Sequence, residues 1–368
     1  MYLRKLSLFN FKNYEEGHYS FDNKVNCFLG KNGVGKTNIL DAIYYLGFTK
    51  SFLSSSDSLH IRHGESNFVV RGQFEINNDL QEVACSYSNN SRKIIRVGED
   101  EADKLSNHIG KFPMVLIAPN DIELIWGSGD LRRRFFDSLI SQIDKTYLEN
   151  LIAYNHQLRQ RNSLLRLAGH SQIDFDLLYT YDQKLTEAGT YIHLKRAEFL
   201  NTYLPLFEKH YAFLCGESGE EVNVSYRSDC AGADLNELLK QNVNRDIALQ
   251  RTSAGIHRDD FIFMLGDYEL RKIGSQGQQK SFLIAMKLAE FQSIELAKRA
   301  KPLLLLDDIF DKLDDERIHK LVSLVVDDTF GQLFITDARP DRSQGLLKEA
   351  GVGAELFMIE KGNLTEVI

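Results

Sequence analysis

Eight consecutive residues constrain this chain more than any others. Gly30-Lys31-Asn32-Gly33-Val34-Gly35-Lys36-Thr37 fits G-x-x-x-x-G-K-[ST]. Ahead of it, Val25 to Leu29 is a short, mostly apolar run that predicts a buried strand. Behind it, Thr37 to Gly47 carries Ile39, Ile43 and Leu46 on one side and predicts a helix. A strand, a glycine-rich loop and a helix N-terminus are what a phosphate chain needs. The glycines let backbone N–H groups turn toward anionic oxygens, and the helix dipole adds to their attraction. In this reading Gly30 to Asn38 holds ATP, Lys36 reaches the β- and γ-phosphates, and the Thr37 hydroxyl ligates Mg²⁺.

The loop needs a carboxylate partner, and Leu303-Leu304-Leu305-Leu306-Asp307-Asp308 supplies one. Alone it reads more often as a core strand running into a polar turn. Paired with the loop, it places acidic chemistry at the C-terminal end of a buried strand, where open α/β sheets bind ligands. Asp307 is then the Mg²⁺ residue, acting through water, and Asp308 orients or polarises the attacking water. Lys36 and Asp307 lie far apart in sequence, so the residues between them must leave the sheet and return.

The intervening pattern supports such an insertion. From about Leu131 to about Phe213 there are few breaks. Phe135, Leu139 and Ile143 recur at fours and Leu151, Leu158 and Leu165 at sevens, too briefly for a long coiled coil. The N-terminal quarter instead alternates like strands, with a hairpin tip at Asn77-Asn78-Asp79 and a further strand at Lys93 to Val97. The C-terminal part alternates helix and strand: a helix from Gln278 to about Lys298, a strand Leu303 to Leu306, a helix near Glu316 to Val326 and a strand Leu333 to Thr336. The expected fold class is α/β: a P-loop ATPase lobe in two parts, residues 1–120 and 251–368, with an N-terminal antiparallel β subdomain and a helical lobe, 121–250, inserted between them.

Composition narrows the function classes. Hydrophobic residues make up 43% of the 368 and charged residues 26%, enough for a sizeable core. No apolar run approaches the ~20 residues that span a bilayer. The start has no secretory pattern, so the expectation is a cytoplasmic protein with no membrane partner. Four cysteines without a C-x-x-C pair, and ten histidines without a metal-binding array, give no support to a zinc site or a disulfide framework. The net charge of −8 argues weakly against a nucleic-acid partner, since a local basic patch can coexist with an acidic total.

Just before the acidic strand stands Ser275-Gln276-Gly277-Gln278-Gln279-Lys280. A capping turn explains the serine but not the whole polar run. The run resembles the signature motif of ABC-type ATPases, in which a Ser hydroxyl, a Gly N–H and a helix N-terminus grip a second phosphate. That resemblance implies an ATP-dependent homodimer in which Ser275, Gln276, Gly277 and Gln278 close on the partner's nucleotide. Asp311-Lys312-Leu313-Asp314 then resembles the D-loop, with Asp314 facing the partner.

Three further stretches resemble the RecF family of bacterial DNA replication and repair proteins, relatives of the SMC-type ATPases without the long coiled coil. They are Leu8 to Tyr14; Arg132 to Asp137 with Tyr154 to Leu158 and Gln160 to Leu165; and Gly255 to Asp260. The resemblance covers nearly the whole chain. It implies DNA binding at gaps, slow ATP hydrolysis that drives release, and a role with RecR and RecO in loading RecA. The departures are specific. Asp308 stands where many ABC-type ATPases have Glu, Thr336-Asp337 where a switch His would be, and Ile256 where the family commonly has Pro. Pro119-Asn120-Asp121 is the candidate for the glutamine-loop region. An SMC-type organiser, or an ABC-type ATPase not acting on DNA, is the alternative.

Arg132, Arg133 and Arg134 are the leading DNA candidates, with Arg159, Arg161 and Arg166 further along and Lys50, Arg62, Arg92, Lys93 and Arg96 elsewhere. Three consecutive arginines cannot all pair with one acidic neighbour. A solvated face, a structural brace and contact with phosphate all remain open for them. His257 and Arg258 read as structural or nucleotide-sensing rather than catalytic.

Overall fold

The computed structural model describes residues 1–22, 24–89, 92–167, 173–216, 220–309, 315–327, 329–349 and 351–368. The chain divides into two compact units, Met1–Asp121 with Lys280–Ile368, and Ile122–Gln279. The second unit thus runs past residue 250, where the sequence pattern suggested a return to the ATPase lobe.

The first unit opens with β1 (Tyr2–Phe11), β2 (Tyr14–Ser20) and β3 (Val25–Leu29), followed by the loop helix α1 (Lys36–Phe48). Next come β4 (Asn67–Ile76) and β5 (Asp79–Ser88), joined by the two-residue turn Asn77-Asn78. Both turn residues have positive φ, 53° and 70°. That is the type I′ geometry whose twist matches a hairpin, and asparagine tolerates it. The short strands β6 (Ile94–Val97), β7 (Asp100–Glu101) and β8 (Met114–Ile117) complete this stretch.

The second unit begins with α2 (Glu123–Trp126), α3 (Gly129–Ile143), α4 (Lys145–Leu167) and α5 (Phe175–Cys215). Helix α5 runs for 41 residues and carries Pro205 inside. Then come β9 (Val222–Arg227), α6 (Leu235–Gln241), α7 (Val243–Leu249), β10 (Asp260–Leu265), β11 (Tyr268–Glu269) and α8 (Leu270–Ile273). Strands β11-β10-β9 form a small antiparallel sheet. Tyr147, Tyr154, Leu185 and Ile192 centre the helical core, with Leu235 and Leu239 packed into it.

The chain continues through α9 (Gln276–Lys298), β12 (Leu303–Asp307), α10 (Asp315–Val326), β13 (Leu333–Asp337), α11 (Pro340–Glu349), β14 (Ala354–Glu360) and β15 (Asn363–Val367). Two sheets build the first unit. One is antiparallel, in the order β2-β1-β4-β5-β6-β7. The other runs β15-β14-β3-β13-β12-β8, parallel except for the edge strand β15. Strand β12 returns beside β8, with Leu303 opposite Met114, which closes the sheet across the long insertion. Helix α1 packs its Ile39, Ile43 and Leu46 into a core shared by both sheets, against Phe68 and Phe74 on one and Phe28 and Phe334 on the other. The sequence had marked no element after Thr336, so α11 and the β14–β15 hairpin are additions. Among the described residues no helix is long and apolar enough to cross a membrane.

Candidate nucleotide site

Parallel pairing of β3, β13, β12 and β8 brings their C-terminal ends to one edge of the sheet. The phosphate loop leaves β3 there, and β12 delivers Asp307 beside it. Thr37 Oγ1 donates to Asp307 Oδ1 at 2.9 Å, joining residues 270 apart in sequence. Lys36 is almost fully buried, and its ammonium donates to the carbonyls of Gly30 at 2.8 Å and Lys31 at 3.1 Å. The charge is thereby held across the mouth of the loop.

Two glycines are irreplaceable in this loop on geometry alone. Gly30 has φ 151°, and a Cβ there would lie 2.3 Å from the carbonyl oxygen of Ile359. Gly35 has φ 113°, and its Cβ would meet the Asn13 amide at 2.5 Å. The same neighbours brace the loop from outside. Asn13 Nδ2 donates to Val34 O at 3.2 Å, Asn38 Nδ2 to Asn13 Oδ1 at 2.6 Å, and the Tyr14 hydroxyl to Gly35 O at 3.1 Å. From the C-terminal hairpin, Gly362 N donates to Val34 O at 3.0 Å. Asn13 and Tyr14 belong to the Leu8–Tyr14 stretch, whose part in the site the motif did not reveal. Gly362 carried no signal at all.

Thr336 is the other residue that sequence reading did not assign. Its hydroxyl donates to Asp307 Oδ1 at 2.8 Å and accepts from Asp308 N at 3.0 Å. A residue noted only for standing where a switch His would be thus ties both aspartates to β13. Asp308 sits at φ 46°, in the left-handed region that aspartate tolerates better than most residues. Asp337, next to Thr336 in the chain, is fully buried and accepts from Arg339 N at 3.1 Å and from the Ser343 hydroxyl.

These donors suit a divalent cation. Thr37 spends its hydrogen on Asp307, which leaves the hydroxyl lone pairs to face a metal. Burial raises the Asp307 pKa, opposed by the Thr336 and Thr37 hydrogen bonds and by Lys36, so a nearby cation would favour its ionised form. No group of three His, Cys, Asp or Glu able to hold a metal occurs among the described residues. Sparse protein ligation of this kind is how Mg²⁺ binds when substrate phosphates supply the rest.

In the candidate glutamine-loop segment, Asp121 faces inward. Its Oδ2 accepts from Ala118 N at 2.8 Å, and its Oδ1 lies 3.5 Å from the buried Lys287 ammonium. Burial also pushes the nearby Glu290 carboxyl up to about 7. Asn120 is the exposed polar side chain of that segment.

In the second unit, Ser275 and Gln278 form a reciprocal capping box. Gln278 N donates to Ser275 Oγ at 3.2 Å, and Ser275 N to Gln278 Oε1 at 2.7 Å. The cap therefore accounts for both residues. The Ser275 hydroxyl accepts here and keeps its own hydrogen for another acceptor, while Ser275 and Gln276 are exposed. Gln279 turns inward, donating to Gly274 O at 2.8 Å. Asp311 to Asp314, including the proposed partner-facing Asp314, lie outside the described residues.

The triple arginine needs correction. Arg132 is buried, not offered to phosphate. Its Nε and Nη2 grip the two Asp260 oxygens at 2.9 Å each, and its Nη1 donates to the carbonyls of Leu124 and Gly127. The reason lies in helix phase. Arg132 shares the inward face of α3 with Phe135, Phe136 and Leu139, so it is delivered to the core and must find a carboxylate there. Arg133 is mostly buried and donates to Asp259 O at 2.5 Å. Only Arg134, paired with Asp130, keeps 73% of its side chain exposed. Arg161 also leaves the surface set, being fully buried between Asp182 and Asp246. We expect Arg132→Ala to cost about 3 kcal/mol of stability, because the mostly buried Asp260 would lose its bidentate partner and keep only Phe261 N and a 3.9 Å contact with exposed Arg227. Urea unfolding measures this. A variant as stable as the parent would contradict the assignment.

His257 is structural. It bonds the Tyr154 hydroxyl at 2.8 Å and Thr252 O at 3.1 Å, and burial lowers its pKa to about 4, so it is neutral at physiological pH.

A phosphate loop after one parallel strand, a carboxylate ending the strand two places along the same sheet and an antiparallel sheet over the loop helix define an ABC-type ATPase head. The RecF/RecN/SMC N-terminal domain family matches residues 2–361. Within that class the chain belongs to the RecF family. It is 45% identical to the DNA replication and repair protein RecF of Flavobacterium johnsoniae, over 97% of this chain and 99% of that protein. With its counterpart from Cytophaga hutchinsonii it shares 43% over 100% and 97%. A solved structure of the recombination mediator protein RecF-ATP in the RecFOR pathway superposes with TM-score 0.88, at 31% identity over 100% of this chain and 97% of that one. The Smc head domain of Pyrococcus furiosus shares the fold alone, with TM-score 0.56 and 17% identity.

Proposed function

We propose that this protein is an ATP-dependent DNA-binding protein of replication and repair, in which ATP binding and slow hydrolysis act as a switch. The Thr37–Asp307 bond carries the reading, because it unites the phosphate loop and the acidic strand into one site within a chain of RecF ancestry. Gly30 to Asn38 hold the triphosphate and Lys36 clamps its β- and γ-phosphates. Thr37 and Asp307 hold Mg²⁺, which neutralises phosphate charge when bound. Asp308, fixed through its N–H by Thr336, orients water. Its side chain is shorter than the glutamate of many ABC-type ATPases, which favours slow turnover.

Ser275 to Gln278 serve the nucleotide of a second copy, with Asp314 on the same interface, so that ATP drives homodimerisation. Removal of the γ-phosphate removes the contact that distinguishes the closed state, and the dimer releases. DNA contact is to the backbone and independent of sequence, with Arg134 the surviving member of the original triplet. By family, RecR and RecO are the partners and RecA the protein loaded. The cytoplasm is the expected compartment.

The test is binding to double-stranded, single-stranded and gapped DNA, with and without ATP and Mg²⁺, over a salt series. ATP-stimulated, salt-sensitive binding is expected. No DNA binding at low salt with ATP present would favour an ABC-type ATPase acting elsewhere.

A further inference from the structure

Residues 243–259 carry Arg245, Asp246, Arg251, Arg258 and Asp259 as their only Asp, Glu, Lys or Arg residues. The fold sorts these five by sign. Both aspartates are buried and all three arginines are exposed. Asp246 accepts from Arg161 Nη1 at 2.6 Å and from Ser253 N at 2.9 Å. Asp259 accepts from Arg196 Nη1 at 3.0 Å and from the Tyr226 hydroxyl. Arg161 also donates to Thr252 at 2.9 Å, and neutral His257 bonds Thr252 O.

These bonds fold the segment compactly. Arg251 N donates to Asp246 O, one residue from Arg245, and His257 ties the neighbour of Arg258 to the neighbour of Arg251. The inward aspartates thus anchor a helix-and-turn segment, running from α7 to Asp259, whose outward charges all have one sign. Among the described residues, no carboxylate comes within ion-pair distance of Arg245, Arg251 or Arg258. Arg133 donates to Asp259 O, which joins the same segment to the start of α3, where Arg134 is exposed.

An uncompensated positive edge on a chain of net charge −8 is selective for a dense polyanion. Guanidinium groups suit phosphate oxygens, which they meet with paired N–H donors. We propose that the Arg245–Arg251–Arg258 edge is a docking surface for the DNA backbone. The proposal rests on the DNA-binding reading above and moves its principal contact from the Arg132 triplet to this segment.

The test replaces Arg245, Arg251 and Arg258 by Gln, singly and together, in the full chain. Binding to a plain double-stranded oligonucleotide is followed over a salt series with ATP and Mg²⁺. Each lost contact should flatten the log–log salt slope by about 0.9, and the triple variant by roughly 2–3, equally on unrelated sequences. ATP affinity should stay at the parent value. A parent slope in a folded triple variant overturns the surface while parental DNA binding stands. Failure of the parent itself to bind DNA overturns both readings. If the triple variant loses ATP-driven dimerisation but keeps the parent slope, the edge meets a protein surface instead, and the proposal falls. Should the triple variant not fold, the single variants decide by the same slope, with a thermal melt as the check on each.

Discussion

Lys36→Ala should lose ATP affinity by on the order of a hundredfold or more. The ammonium is buried against the carbonyls of Gly30 and Lys31, so its position is set before any ligand arrives. A charge-assisted hydrogen bond is worth about 1.5–3 kcal/mol, and two phosphates would share this donor. About 3 kcal/mol corresponds to that hundredfold. The loop itself should survive, since Asn13, Tyr14 and Gly362 brace it from outside. Titration with a fluorescent ATP analogue separates the two effects. Weak binding with an unchanged melting curve supports a phosphate clamp. Affinity within about twofold of the parent would mean that Lys36 is only a structural bridge across the loop.

What was readable in the sequence follows from how local each requirement is. The phosphate loop needs glycines, a lysine and a hydroxyl in one stretch, so a single motif carries it. Asp307 was readable because an apolar run ending in carboxylates is likewise contiguous. Thr336 was not, since a threonine in a strand is ordinary until Asp307 and Asp308 N are known to lie beside it. Asn13 and Tyr14 stood out as a family-like stretch, but their grip on Val34 and Gly35 depends on how β1 and β2 meet the loop. Arg132 failed for a different reason, because the information was present. Its spacing from Phe136 and Leu139 already placed it on the apolar face of a helix, and the run of three charges hid that phase. The Arg245–Arg258 edge was invisible because Arg-Asp neighbours look neutral in sequence. Only burial of the acidic member exposes the asymmetry.

Mixing two inactive variants should restore ATP hydrolysis, by an amount that grows with total protein concentration. Lys36→Ala removes the phosphate clamp. Ser275→Arg spares that loop but puts bulk and charge at the exposed start of α9, where the serine hydroxyl now has a hydrogen to give. The capping bond lost with Ser275 costs about 1 kcal/mol, so the helix should persist. If the Ser275 motif serves a second subunit's nucleotide, each homodimer of either variant has two broken sites. A mixed dimer distributes the lesions unevenly. One site joins the altered loop to the altered motif. The other joins an intact Lys36 loop to an intact Ser275 motif and can turn over. Rescue should reach at most about a quarter of the parental rate, because mixed dimers are about half of the population under random pairing and each has one working site of two. A cross-link or size measurement must show that mixed dimers form. Given that, rescue supports completion of the site in trans. Its absence would mean that one chain completes its own site, and the dimer switch argued above would have to be abandoned even if Lys36 proves to bind ATP as expected.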